Sequence, residues 1–424
     1  MTSFYKKYKV IFIVVFITTQ CFLFFTACKS YYDLYRTNIS YLYKQEDSYF
    51  KPNISINKEN DDLFIYYTIT ASQVSYFKTD ENSKYNYSLQ INYLVYDYEF
   101  DKKMLDSATV YINDSIENIS LSKIENKVKI NTPEKDFKIK IVLTDIISKN
   151  SYVKYFNVIK SKIRGDYYLL YENDNINNDN IIHVNTLIGI ENKYAKKKKL
   201  IAEYFNNNFE IAPPPHASNS RKLLTNLLKY DSTFALNFNE ANNRFEFNPT
   251  KTGIYKIYLN EEENLYLSLF CFAENYPAIS NVNEMLNSIR YITSKKEFEQ
   301  IQQTEEIKNK IDTFWIENTG NKERAREMIK KYYTGVQNAN RLFTSYYEGW
   351  KTDRGMIYIV LGAPHIVYKS INSETWIYGN EKSLNSMNFT FNKVENPFSD
   401  NDFELFRLPI YANYWFVNID TWRR

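Results

Sequence analysis

The chain is predicted to be a multidomain β plus α+β protein, with one or two N-terminal antiparallel β-sandwich domains followed by a C-terminal helical segment and a small antiparallel sheet. Three observations carry that prediction. From Asp62 to Phe272 apolar and polar residues alternate in short runs broken by polar turns, the period-2 mark of half-buried strands. The period then changes to three-and-four spacing between Asn275 and Tyr346, as an amphipathic helix requires. Strand-like runs return after Gly349. No regular alternation of strands with helices supports a doubly wound or barrel fold.

Residues 1–27 read as a secretory leader. Lys6, Lys7 and Lys9 precede an uncharged, mostly apolar run from Val10 to Phe25, the order of a charged n-region and a greasy h-region. Sixteen residues is short for a membrane-spanning helix. The run ends Phe25-Thr26-Ala27-Cys28, which resembles the bacterial lipobox, whose cysteine is acylated before cleavage; Phe25 stands where Leu or Val is usual. Cys28 is therefore the expected lipidation site, and a lipid-anchored membrane association is expected. Removing the leader removes the three lysines that account for the formal charge of +3. A neutral remainder favours neither nucleic acid nor an anionic surface as partner.

Residues 28–50 read as a tether, polar and tyrosine-rich without a sustained period. A first β-sandwich domain is expected over 51–160. In it Tyr85, Tyr87, Leu89, Ile91, Tyr93 and Val95 alternate with Asn86, Ser88, Gln90 and Asn92, and Phe137, Ile139, Ile141 and Leu143 alternate with Lys138 and Lys140. Leu63 to Phe77, Ser107 to Ile112 and Tyr152 to Ile159 supply further strands. A second β-rich domain is expected over 161–278, with strands at Tyr167 to Tyr171, Ile181 to Ile190, Thr233 to Phe238, Arg244 to Phe247, Gly253 to Leu259 and Leu265 to Phe272. Within it Pro213-Pro214-Pro215-His216 fixes an extended kink, and Arg221 to Tyr230 suggests a short helix.

The third unit, 279–424, is expected to be α+β. Ser294 and Glu297 form a capping-box signature. Ala325, Met328, Ile329, Tyr332, Tyr333, Val336, Ala339, Leu342, Phe343 and Tyr346 then make one apolar face of a long helix. Strands are expected at Met356 to Leu361, His365 to Lys369, Thr375 to Tyr378, Asn388 to Val394 and Phe403 to Phe406, before the aromatic-rich Tyr411 to Trp422.

With 44% hydrophobic and 17% aromatic residues in 424, several cores can be buried. Besides Cys28 only Cys271 remains after the leader, so no intramolecular disulfide is available, and its apolar surroundings suggest a buried small hydrophobe. Nine glycines and three histidines leave little material for phosphate loops or multi-histidine metal sites, so neither cofactor nor metal is expected. His183, His216 and His365 each read as loop or structural residues.

The most specific stretch is Gly349-Trp350-Lys351-Thr352-Asp353-Arg354-Gly355, between the long helix and the next run. Gly349 suits a left-handed helix stop and Trp350 an apolar anchor. Thr352 and Asp353 are suited to accept from backbone N–H groups, and Gly355 to a second bend. Arg354 has Asp353 or Glu374 as candidate partner. Together with Ile357 to Pro364, and with Glu374, Trp376 and Tyr378, these residues resemble the GWxTD domain family of Bacteroidetes exported proteins, over roughly residues 285 to 424. The resemblance implies a lipoprotein layout and no established reaction. Surface-exported lipoproteins of that phylum tend to carry acids after the acylated cysteine; here Lys29-Ser30-Tyr31-Tyr32 follows, which implies a periplasm-facing outer-membrane anchor.

Three functions follow as expectations. The first is a binding or assembly scaffold for an envelope protein complex. The second is a hydrolase-like enzyme using Asp353, Arg354, and Glu374 or His365, and the third a glycan-binding lipoprotein. No catalytic residue is assigned, because a helix-to-strand corner locked by Trp350, Thr352, Asp353 and Arg354 explains the heptad without chemistry. A solvent-facing cleft at Asp353 and Glu374 would favour the enzyme, burial of the Trp350 corner the scaffold, and coplanar exposed aromatics the glycan reading.

Overall fold

The structure is a computed structural model that describes residues 38–44, 50, 52–59, 62–80, 84–98, 103–119, 122–131, 133–158, 168–177, 180–191, 199–206, 209–218, 229–260, 265–370, 372–383 and 386–424. The leader, Cys28 and most of the expected helix at 221–230 lie outside the described residues. Among the described residues no helix is long and apolar enough to cross a membrane.

The first unit comprises β1 (Asn53–Glu59), β2 (Asp62–Thr70), β3 (Tyr85–Asp97), β4 (Met104–Ile116), β5 (Lys123–Ile130), β6 (Phe137–Asp145) and β7 (Ser151–Val158). They form two antiparallel sheets, ordered β1-β2-β5 and β4-β3-β6-β7. The alternation in β3 and β6 does what its period requires: Leu89, Ile91, Val95, Ile139, Ile141 and Leu143 point inward and meet Leu63, Ile65, Tyr67 and Ile69 from β2. Strand β5 carries the same alternation through Ile124, Val128 and Ile130, but Asn126 interrupts it.

The second unit comprises β8 (Leu169–Glu172), β9 (Asn175–Ile176), β10 (Ile181–His183), β11 (Ile188–Glu191), β12 (Ile201–Phe205), β13 (Ser232–Ala235), β14 (Asn237–Asn239), β15 (Arg244–Phe247), β16 (Gly253–Asn260) and β17 (Leu265–Phe272). Its sheets run β10-β17-β16-β12-β13 and β14-β15-β11-β8-β9, with one core between them that includes Ile182, Ile190, Ala202, Ile257, Leu267 and Cys271. One expectation is corrected here. The single strand expected over Ile181 to Ile190 is two strands in different sheets, because Asn185 adopts φ 60° and turns the chain. One pair, β10 with β17, is parallel.

The third unit holds α1 (Val282–Ser288), α2 (Lys295–Gln302), α3 (Ile307–Thr319), α4 (Lys322–Phe343), α5 (Asp353–Leu361) and α6 (Tyr411–Trp422), with a sheet ordered β18 (Ile366–Lys369), β19 (Ser373–Tyr378), β20 (Met387–Lys393) and β21 (Phe403–Leu405). The capping box at Ser294 and Glu297 is present in both directions. Gly320 at φ 80° ends α3, and Asn321 then caps α4. The strand expected at Met356 to Leu361 is instead part of α5. Every residue from Asp353 to Val360 is buried, so the run lacks the polar face that would reveal a helical period, and its β-branched residues mimic a buried strand.

Two distant segments complete this unit's core. Tyr43, which follows a short 3₁₀ turn at Ser40–Leu42, and Ala212 both lie in the cluster built around Phe343, Trp350, Met356 and Trp376. A smaller cluster joins the second and third units, with Phe205, Ile254, Phe270 and Phe272 on one side and Tyr346, Tyr347 and Phe398 on the other.

Candidate functional site

The heptad begins six residues after α4 ends at Phe343. Gly349 to Lys351 form a 3₁₀ turn that rests on the α4 backbone; a Cβ on Gly349 would sit 2.2 Å from the Ala339 carbonyl oxygen. Gly349 is thus required for close approach, and it does not take the left-handed conformation expected of it. Gly355 lies inside α5 and not at a bend before a strand. Its Cβ would meet the Gly349 oxygen at 2.0 Å, so the two glycines let the turn and the helix stack backbone on backbone.

Thr352 is the N-cap of α5. Its Oγ1 accepts from the Gly355 N–H at 2.9 Å and donates to the Gly349 carbonyl at 2.7 Å, tying both ends of the heptad together. The Trp350 N–H donates to Asn340 Oδ1 at 3.0 Å, and the Trp350 carbonyl accepts from Tyr291 at 3.0 Å. The Trp350 ring, 5% exposed, meets Tyr291 edge-on.

Asp353 and Arg354 point into two separate ion pairs. Asp353, fully buried, accepts from the Leu405 N–H at 2.8 Å and from Arg407, whose guanidinium reaches both carboxylate oxygens. Arg407 also donates to the Pro213 carbonyl at 3.1 Å, so this pair pins the proline-rich kink to β21. A carboxylate at the first position of a helix is also favoured by the helix dipole.

Arg354 donates to Glu374 Oε2 at 2.9 Å and to both oxygens of Asn401, at 2.9 and 2.6 Å. Its guanidinium lies between the rings of Phe343 and Phe403, 5.2 and 4.2 Å from their centroids. Glu374, on β19 and fully buried, also accepts from the Tyr43 hydroxyl. Burial alone would raise the Glu374 carboxyl, but Lys369, Arg354 and the bonds from Tyr43 and Arg354 outweigh it and hold the group below the usual carboxylate range. Burial, reinforced by Glu374, pushes the Tyr43 phenol well above its ordinary value, so it stays a donor. Trp376, two residues along β19, packs on Tyr43, Phe343 and Phe391.

The structure therefore brings Gly349, Trp350, Thr352, Asp353, Arg354, Gly355, Glu374 and Trp376 into one buried corner, a helix-to-helix and not a helix-to-strand junction. His365 stands apart: it is exposed and accepts from the Gly379 N–H at 2.7 Å. His183 binds Glu172 at 2.9 Å and the Tyr276 carbonyl at 2.9 Å, tying β10 to the connection that follows β17. His216 packs against Phe416. On the outer face of the first sandwich, Phe64 and Tyr66 meet at 65° and are not coplanar. Tyr43, Arg407, Asn401 and Asn340 were not anticipated. The one available signal was that two buried charges, Asp353 and Arg354, each need a partner of opposite sign.

No curated protein matches the chain. The model of the GWxTD domain family matches residues 253–424, so its match begins at β16, inside the second sandwich, and takes in the whole helical unit and its sheet. With the heptad, its two ion pairs and its glycine stack all inside that span, the chain carries a GWxTD domain at residues 253–424.

Proposed function

We propose that the chain is a lipoprotein of the Bacteroidetes type, anchored through Cys28 to the outer membrane and facing the periplasm, where it serves as a binding or assembly scaffold for an envelope protein complex. The observation that carries the scaffold reading is the burial of the whole heptad corner. Trp350, Thr352, Asp353, Arg354 and Glu374 are each no more than 5% exposed, and apart from the bond that Glu374 accepts from Tyr43 their side-chain partners named above lie within the domain, which is how residues behave when they hold a shape. The anchor reading rests on the lysine-led apolar run and on Cys28 after Ala27. Two sandwiches fastened to an α+β unit offer strand edges and loops to protein partners.

Two experiments test this in the native membrane. Cys28→Ala is expected to abolish lipid labelling and to leave an unprocessed precursor or a released protein; unchanged labelling and processing would refute the anchor. Mild crosslinking followed by affinity purification of the tethered wild-type protein is expected to recover a reproducible membrane-complex partner. Recovery of none, together with hydrolytic turnover that is lost in Asp353→Asn while the fold is retained, would replace the scaffold with an enzyme.

A further inference from the structure

We propose that the GWxTD domain contains a peptide-acceptor site whose ligand is this chain's own segment Asn38–Tyr43. The site lies outside the span that the family model matches on the ligand side and inside it on the receptor side. Its first element is the free edge of β18, the terminal strand of its sheet. Val367 turns both backbone groups outward from that edge: its N–H donates to Asn38 Oδ1 at 2.9 Å and its carbonyl accepts from the Ile39 N–H at 2.9 Å. This is one rung of strand addition, with an asparagine side chain standing in for the second carbonyl.

The second element is an aromatic box. The Tyr43 ring stacks on Phe343 at 5.6 Å and 14° and tilts against Trp376 at 5.4 Å. At the bottom of the box its hydroxyl donates to Glu374, the acceptor that Arg354 orients from the other side. The Tyr43 carbonyl in turn accepts from Tyr358 at 3.1 Å. Ligand recognition thus needs an asparagine side chain, an exposed backbone N–H and, four residues after the latter, a phenol. Phenylalanine fills the box and leaves the Glu374 oxygen one donor short, whereas alanine leaves the box empty.

The occupant behaves as a separate piece. It is 331 positions from Glu374 in sequence, it is a single short turn, and residues 45–49 alone separate Lys44 from the buried Phe50 of the first sandwich. Its alternate side chain, Tyr41, faces away and meets the Tyr155 hydroxyl on β7 at 2.7 Å. One six-residue segment therefore clamps the GWxTD domain to the first sandwich, through Tyr43 inward and Tyr41 outward.

The test keeps the full chain and replaces residues 45–49 with a recognition sequence for a site-specific protease. After cutting, the amino-terminal piece is expected to co-elute with the remainder on size exclusion, and an excess of synthetic peptide spanning residues 36–44 is expected to displace it. Tyr43→Ala should release the piece at least about tenfold faster than wild type, and Tyr43→Phe should fall between. Immediate separation of the wild-type piece, or equal retention of the Tyr43→Ala piece, would overturn the proposal. If the uncut Tyr43→Ala chain does not fold, the same substitution is placed in the competitor peptide and read against the cut wild-type chain: equal displacement by both peptides would overturn the proposal, and failure of the alanine peptide alone supports it.

Discussion

The carbonyl oxygen of Gly349 lies where a Cβ on Gly355 would have to be, 2.0 Å away. The two ends of the heptad are thus in backbone contact, and Thr352 bonds to both. Neither glycine is needed for an unusual φ, since the left-handed glycines of the described chain are elsewhere.

Gly355→Ala is therefore expected to lower the stability of the GWxTD domain by about 2–3 kcal/mol, because the obstructing atom is backbone and cannot rotate aside. Gly335 in α4 is the control: its Cβ would meet nothing within 4 Å, so Gly335→Ala should be neutral or stabilise by about 0.5–1 kcal/mol. Urea dependence of amide exchange in α4 and α5 reads both changes in the intact chain. A neutral Gly355→Ala would remove the contact from the explanation of the heptad.

The Arg354–Glu374 pair is 2% and 0% exposed, and breaking it from one side leaves a buried charge alone. Glu374→Ala should cost about 3–5 kcal/mol, whereas the double change Arg354→Met with Glu374→Leu should cost clearly less than the sum of the two single changes. A double-mutant cycle by chemical denaturation measures the difference; strict additivity would mean that the two side chains act independently.

Glu297 closes the capping box of α2 and also binds Arg423, which donates to it at 3.0 Å. That bond, more than the opposing burial, draws the carboxyl from 4.5 down to about 2. The folded-state value lies below the unfolded one, so the ionised form favours folding above about pH 4.5 and this contribution fades as the pH falls towards 2. Glu297→Gln should cost about 0.5–1 kcal/mol at neutral pH, the pair being partly solvated, and the gap should close between pH 4.5 and 2. Thermal unfolding of both proteins across that range checks it, and a gap that widens in acid would reverse the assignment.

Cys271 lies in the core of the second sandwich, and burial pushes its thiol up to about 12. It should resist alkylation at pH 8 in the folded chain and react fully in urea. Peptide mass analysis that localises the label to Cys271 distinguishes it from the other cysteines. Rapid labelling in native buffer would show the second sandwich opening on the timescale of the reaction.

The periods in the sequence carried much of the fold. In β3 and β6 one face is packed and the other half-buried, so the alternation of Leu89, Ile91 and Val95 with polar neighbours reports the strand directly. The apolar face of α4 and the Ser294 capping box were legible for the same local reason. Where burial is complete on every side, as from Asp353 to Val360, no contrast remains to set a period, and a helix reads as a strand.

By itself the sequence determined the strand-rich front, the switch to helices near Asn275 and the existence of a compact heptad corner, since each rests on residues within a few positions of one another. Only the tertiary structure decided that Asp353 meets Arg407, that Arg354 meets Glu374 beneath Tyr43, and that α5 is a helix. A buried charge requires a partner, but the backbone path brings partners together across 20, 54 or 331 positions, and no local pattern records which one arrives.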